Sequence, residues 1–430
     1  MVPGAPRDAV GCSGLALEPE LKPYSGMSAA IEAKDPQREK VAFAQLRERA
    51  HALIPALKGR ADSVERNRRV SDETIAMLRQ ADLFKLMQPA RFGGFEYGLS
   101  ELIEINLELG QGCGATAWCA SLTMAGQWMV GLFPLEVQEE IWGIDPGTIL
   151  AHQLFPIGTC ARAPGGFRLS GQWPFTSNCD NAPWFLFGAT FPDSAAESYQ
   201  GYVVLPRSQV EIIDDWFVVG LAGTGSKTVA VRDAFVPAHR VLKASDLEFG
   251  CAPGARLHSA PIYKVAFRPN IPFCVATPAL GMVQGAIDDF AHWATSHARV
   301  SGSALAANSL AQVPHVQTRL AEAAALLDCA LLLMRRDARE VEECARRGEE
   351  PPLESRLRNR RDHAYVARLM VSAIDLLFEP LGAHALPLSS PIQRAWRDVH
   401  AAAHHVTVDF HTNGAMYGQW RLGLPPKGIF

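Results

Sequence analysis

GFRLSGQWPF (166–175), PWFLFGATF (183–191), GYVVLP (201–206), VEIIDDWFVVGL (210–221) and KTVAVRDAFVP (227–237) decide the fold. Between Thr148 and Leu242 these alternating or β-branched runs are separated by Gly, Pro and Asp, a spacing that predicts the strands of one compact β-domain. Upstream the period changes. In AFAQLRERAHALIPALKGRAD and SDETIAMLRQADL apolar residues recur at three and four, and Ser71-Asp72-Glu73-Thr74 supplies a helix start. Phe92-Gly93-Gly94-Phe95 interrupts the pattern, and a helical tract then runs from Ser100 to about Trp142. It is apolar all round at residues 115–133, which predicts burial on nearly every side. Downstream, a loop with Pro253, Pro261, Pro269 and Pro272 leads to helical periodicity from about Ala276 to His411, broken at Glu349-Glu350-Pro351-Pro352. The expected division is a disordered segment over 1–34, helices over 35–147, the β-domain over 148–250 and helices over 251–430.

The 430 residues are 48% hydrophobic with net charge −4, and no block of like charge suggests nucleic acid or an anionic membrane as partner. Nine scattered cysteines with no CxxC pair read as reduced thiols in a cytoplasmic protein. The N-terminal stretch has no apolar signal region, Met27 is a candidate start of the ordered chain, and no apolar run reaches the roughly 20 residues of a spanning helix. Gly220-Leu-Ala-Gly-Thr-Gly-Ser-Lys-Thr228 imitates a phosphate loop, but its spacing is wrong by one and it precedes a strand. It reads as a turn. No GxGxxG follows a strand, so no nicotinamide site is expected. His400, His404, His405 and His411 have no HExxH or acidic partners, and no metal site is expected.

Three segments, FKLMQPARFGG (84–94), WFVVGLAGTGSKTVAVRDAFVP (216–237) and LFEPLGAHALPLSSPIQRAWRDVHAAAHH (377–405), resemble the acyl-CoA dehydrogenase superfamily. Within it they are most similar to the oxygenase components of two-component (group D) flavin-dependent monooxygenases, such as p-hydroxyphenylacetate hydroxylase and the secosteroid phenol hydroxylase. The resemblance covers about residues 40–430. It implies an acyl-CoA-dehydrogenase-like fold: an N-terminal α-helical domain, a central β-barrel and a C-terminal four-helix bundle, in a homotetramer. It implies reduced FMN or FAD, supplied by a separate NAD(P)H-flavin reductase and bound between β-domain and bundle. O2 would then form a C4a-hydroperoxyflavin that hydroxylates a phenolic or other aromatic substrate.

Carried over position by position, the resemblance makes His405 the general base above the flavin ring. Asp409, at i+4 on the same expected helix face, would fix its tautomer. A neutral imidazole suits the deprotonation of a phenol. Ser177 matches a hydroxyl at the flavin's reactive edge, and Trp118 an aromatic in the flavin and substrate wall. Arg268 and Arg299 match arginines facing the flavin's pyrimidine or phosphate, and Gly382 and Gln393 the loop at its phosphate end.

The chain departs from the pattern at three places. Gly126 stands where phenol-hydroxylating relatives carry a histidine, His152 where they carry a small hydroxyl, and Asn178 where they carry glycine. These place Gly126 and His152 at the substrate, with His152 as a polar contact and Gly126 leaving room for a bulkier ligand. Oxygenation at nitrogen or sulfur, acyl-CoA dehydrogenation and a catalytically dead scaffold remain open. The dehydrogenase alternative lacks its carboxylate base.

Overall fold

The computed structural model describes residues 42–194, 197–296 and 309–430. Residues 1–41, including the segment expected to be disordered, and Arg299 lie outside the described residues. The described residues begin with α1 (Phe43–Ala52), α2 (Ile54–Asn67) and α3 (Asp72–Gln80). The start of α3 is where the sequence placed it: the Ser71 hydroxyl accepts the Thr74 amide at 3.2 Å.

The helical tract expected from Ser100 to about Trp142 consists of three helices. They are α4 (Leu99–Gly112), α5 (Gly114–Gly131) and α6 (Leu135–Trp142), divided at Cys113, which is extended, and at Pro134, which cannot continue the preceding turn. Every residue of α5 except Leu122 is buried, in line with its all-round apolar character.

Seven strands follow: β1 (Leu150–Ala163), β2 (Gly166–Thr176), β3 (Trp184–Pro192), β4 (Ser198–Pro206), β5 (Glu211–Ile213), β6 (Lys227–Pro237) and β7 (Val241–Lys243). They form one sheet in the order β5-β6-β2-β1-β3-β4-β7, antiparallel except for β1 against β3. Trp173 stacks on Phe187 at 4.2 Å within its own apolar core. VEIIDDWFVVGL is strand only over Glu211–Ile213. Asp214 pairs with Arg68, and Asp215 accepts the Thr228 amide, so the chain leaves the sheet there and residues 214–221 are free to meet a helix.

The C-terminal part holds α7 (Pro253–Leu257), α8 (Phe267–Asn270), α9 (Pro272–Ser296), α10 (Pro314–Arg347), α11 (Leu353–Phe378), α12 (Pro391–Ala403) and α13 (Phe410–Arg421). The expected turn near 349–352 is present, with Gly348 at φ 73° closing α10 and Pro352 opening α11. Residues 267–296 are nevertheless long and apolar enough, by length and composition, to pass for a spanning helix. Of the 18-residue window that passes, 89% is buried inside the fold, so its apolarity serves packing.

Helices α4 and α9 cross at glycines. A Cβ on Gly281 would lie 2.5 Å from the Asn106 carbonyl oxygen and 2.7 Å from Gly110 Cα. Beside this crossing Pro278 deprives the Cys274 carbonyl of its helical partner, and the Ser121 hydroxyl of α5 donates to it at 2.6 Å instead. Asn106 donates to both Ser121 (2.8 Å) and Thr277 (2.7 Å), tying α4, α5 and α9 together.

The expected helix through residue 411 ends at Ala403. A 3-10 turn (Val406–Val408) separates α12 from α13, because the β-branched run Val406-Thr407-Val408 is a poor helix former and both His405 and Asp409 cap with their side chains.

Candidate active site

Trp118, Leu122 and Gly126 are four apart in α5 and share one face of it. Three other parts of the chain converge on that face. From the end of β2, Ser177 accepts a hydrogen bond from Trp118 Nε1 at 3.1 Å. Its hydroxyl is 2.7 Å from that of Ser226, which is 2.6 Å from that of Thr224. The glycine-rich run before β6 is therefore a turn, as read, but its hydroxyls were missed. They form a relay from α5 to the segment that receives α12. There the Leu221 amide donates to Asp398 at 2.6 Å, and Arg397 Nη1 to the Val219 carbonyl at 2.9 Å. Burial raises the Asp398 carboxyl to about 6.

From the turn after α12, the His405 ring lies 5.8 Å from that of Trp118, at 58°. From β1, His152 Nε2 is 3.0 Å from the Leu122 carbonyl oxygen. Burial is the main cause that lowers both imidazoles to about 4; for His405 the charge of His152 adds to it, so both rings are neutral near pH 7. Trp118, His152, Ser177 and His405 are thus brought together.

The role expected for Asp409 is not supported. Its carboxylate accepts the amides of His411 and Thr412 at the start of α13. His405 Nδ1 instead meets the Thr407 hydroxyl at 2.9 Å and the Thr407 amide at 3.3 Å. The helix break between the two residues removes the shared face that the spacing implied.

At Gly126 an added Cβ would sit 3.1 Å from Leu150 and 3.4 Å from His152 Cδ2, so the missing side chain lets β1 and its histidine approach α5. Asn178 fits the glycine position by adopting φ 60°, and its Nδ2 donates to Thr123 at 3.3 Å.

Among the remaining candidates, Arg268 lies on α8, where its charge reaches Tyr202 of β4; it has no hydrogen-bond or ion-pair partner among the described residues. Gly382 has φ 54° and ψ −130°, with nothing within 4 Å of an added Cβ. Gln393 accepts Arg397 Nε at 3.0 Å and donates to the Leu386 carbonyl at 3.4 Å, folding the 382–390 loop onto α12. His400 is held by Asp375 at 3.0 Å, His404 caps α12, and no cluster of metal-binding side chains occurs among the described residues.

Comparison with known proteins identifies the family of this chain. Residues 273–410 match the family described as acyl-CoA dehydrogenase, C-terminal domain. The chain is 36% identical to the FADH(2)-dependent resorcinol hydroxylase oxygenase component of Rhizobium sp. (strain MTP-10005), over 89% of this chain and 95% of that protein. The crystal structure of the HsaA monooxygenase from M. tuberculosis superimposes with TM-score 0.84 at 34% identity, covering 90% and 99% of the two chains. XiaF from Streptomyces sp., solved with FADH2 and glycerol, gives TM-score 0.83 at 27% identity, covering 90% and 97%. The chain belongs to the oxygenase components of the flavin-dependent monooxygenases, enzymes with the acyl-CoA-dehydrogenase-like fold.

The residues present fit a flavin. In the segments flanking Ser177 and Leu221, Phe175, Phe217 and Val219 expose 64%, 72% and 74% of their surface, with the Arg68 guanidinium over the Phe217 ring at 4.0 Å, and such apolar surface suits a planar heterocycle. The unpaired Arg268 guanidinium suits a phosphate or a pyrimidine edge.

Proposed function

We propose that this monooxygenase hydroxylates a phenolic aromatic compound, using reduced FMN or FAD delivered by a separate NAD(P)H-flavin reductase. The observation that carries the reading is the convergence of Trp118, Ser177, His152 and His405 on one face of α5. Reduced flavin supplies the electrons and the activation of O2. This chain's residues do the rest. Ser177, oriented by Trp118 and Ser226, presents a hydroxyl to the flavin's edge. The buried walls of α5 and β1 exclude water, and the two imidazoles face the substrate hydroxyl. Arg268 and Arg299, with the Gly382–Gln393 loop, hold the polar end of the cofactor. A closed barrel, a C-terminal four-helix bundle with boundaries near 147 and 250, a homotetramer and a cytoplasmic location complete the proposal, with no membrane or nucleic-acid partner. The aromatic substrate is supported by the relatives' names, which include resorcinol and p-hydroxyphenylacetate hydroxylases.

The test is a reconstitution under 18O2. The chain with NADH alone should consume no NADH. With a flavin reductase, FMN or FAD and resorcinol it should yield product carrying one labelled oxygen. NADH oxidation by the chain alone, or desaturation of an acyl-CoA in place of labelled phenols, would refute the reading.

A further inference from the structure

We infer that the two site histidines share one backbone-fixed tautomer, Nε2–H, but turn opposite atoms to the substrate: His152 is the hydrogen-bond acceptor for the substrate hydroxyl through Nδ1, and His405 the donor through Nε2–H. This rests on the proposed phenol chemistry and divides its labour differently from the sequence expectation, which made His405 the base.

A carbonyl oxygen can only accept and an amide N–H can only donate. His152 Nε2 is 3.0 Å from the Leu122 carbonyl oxygen, so in the neutral ring the proton is on Nε2 and Nδ1 carries a lone pair. His405 Nδ1 accepts the Thr407 amide at 3.3 Å, so this ring's proton is also on Nε2, but here Nε2 is the atom left over. Neither His152 Nδ1 nor His405 Nε2 has a partner among the described residues, and neither is among the buried polar atoms sealed off without one. One ring offers an acceptor and the other a donor.

The two rings are neighbours beside α5: His405 packs on Trp118, His152 is tied to Leu122 one turn further along, and the charge of His152 acts on His405. A ligand oxygen between them would have to donate to one nitrogen and accept from the other. A phenol hydroxyl can do both at once. An ether oxygen can only accept, and an aniline nitrogen mainly donates. For His405 to act as a base through Nε2 it would have to move its proton to Nδ1, giving up the Thr407 amide and donating to the Thr407 hydroxyl instead.

Binding of 4-fluorophenol, 4-fluoroanisole and 4-fluoroaniline to the full chain, with and without oxidised FAD, can be followed by 19F NMR. The wild-type protein should prefer the phenol over both analogues by about tenfold or more, because each analogue leaves one imidazole nitrogen unpaired. In His152→Phe the phenol and the aniline should weaken about tenfold while the anisole is unchanged. In His405→Phe the phenol and the anisole should weaken while the aniline is unchanged. The reverse pattern, or equal losses for all three probes in either variant, overturns the assignment. Should either variant fail to fold, 15N spectra of histidine-labelled wild-type protein decide. Two neutral Nε2–H rings, of which only that of His405 has its Nε2 perturbed by anisole, support the inference. An Nδ1–H tautomer at either site overturns it. If the wild-type protein binds none of the probes, the phenol reading itself fails, which is a different result from binding without the expected pattern.

Discussion

The crossing of α4, α5 and α9 and the cleft beside α5 both contain buried polar groups, but they use them in opposite ways. At the crossing, each donor is directed at another atom of the fold, and only the sealed-off Asn106 Oδ1 has no partner among the described residues: Asn106 donates to Ser121 and Thr277, Ser121 to the Cys274 carbonyl, Thr277 to the Phe273 carbonyl. At the cleft, His152 and His405 each have one ring nitrogen fixed and one left open. Polar groups that satisfy one another hold helices in place, whereas a half-satisfied set is poised for a ligand. His363 marks the boundary between the two cases. Its ring is fully buried against Phe273, neither nitrogen has a partner, and burial drives its pKa well down, yet no cleft reaches it. A perturbed imidazole without access is part of the core.

The comparison breaks first if the crossing tolerates bulk. Gly281→Val should cost about 3 kcal/mol or more, since the clash is with the backbone of α4 and no side chain can yield. Thermal denaturation measures it, and an unchanged Tm would show that the crossing is not the rigid element supposed here. The cleft should behave in the opposite way. His405→Ala is expected to lower product formation on the order of 100-fold and to leave NADH consumption running to hydrogen peroxide, with only about 1 to 2 kcal/mol lost in stability with the two Thr407 contacts. Equal losses of stability and activity would place His405 in the architecture instead.

A pH series sharpens the same contrast. The folded-state pKa of His152 is depressed to about 4 from 6.5, so its contribution to stability is present above pH 6.5 and is lost as pH falls toward 4. At pH 5 the loss is about 2 kcal/mol. Asp337 and Asp398, raised to about 7 and about 6, act with the opposite sign, so the clean measurement is a difference. Between pH 7.5 and 5 the wild-type protein should lose about 2 kcal/mol relative to His152→Phe. A constant difference would mean that the ring can protonate in place.

Much of this was legible in the sequence, for identifiable reasons. The change from a 3.6-residue to a two-residue period is visible wherever one face of an element is buried, so the order of helices, sheet and helices could be read. The unrelieved apolarity of α5 announced its burial. The 404–409 break was not legible because Ala401-Ala402-Ala403 extends the helical pattern up to it, and only the β-branched 406–408 run hints at the turn. Ser226 and Thr224 went unnoticed since a Gly-rich turn gives no sign of what its hydroxyls touch. That Gly126 lets β1 and His152 approach was not legible, because a missing side chain looks alike whether it admits a ligand or a strand. A hydroxyl two residues after a histidine, as at Thr407, is a local capping pattern that could have been noticed.

Thr407 gives the smallest expected effect and the finest resolution. Thr407→Val removes the hydroxyl 2.9 Å from His405 Nδ1 but keeps the amide that donates to the same atom, along with the β-branched shape of the turn. One of two hydrogen bonds is lost, which predicts about 1 kcal/mol or less in stability and a several-fold fall in product formed per NADH. The direction of the tautomer should not change, since the remaining amide still requires an unprotonated Nδ1. Coupling that falls while the 15N signature stays Nε2–H would show that the backbone sets the proton's place and the hydroxyl only steadies the ring. A switch to Nδ1–H in this variant would show instead that the side chain sets it. Asn413, which donates to the Thr407 and Asp409 carbonyls at 3.1 and 2.7 Å, would then be holding a turn whose geometry does not choose the tautomer.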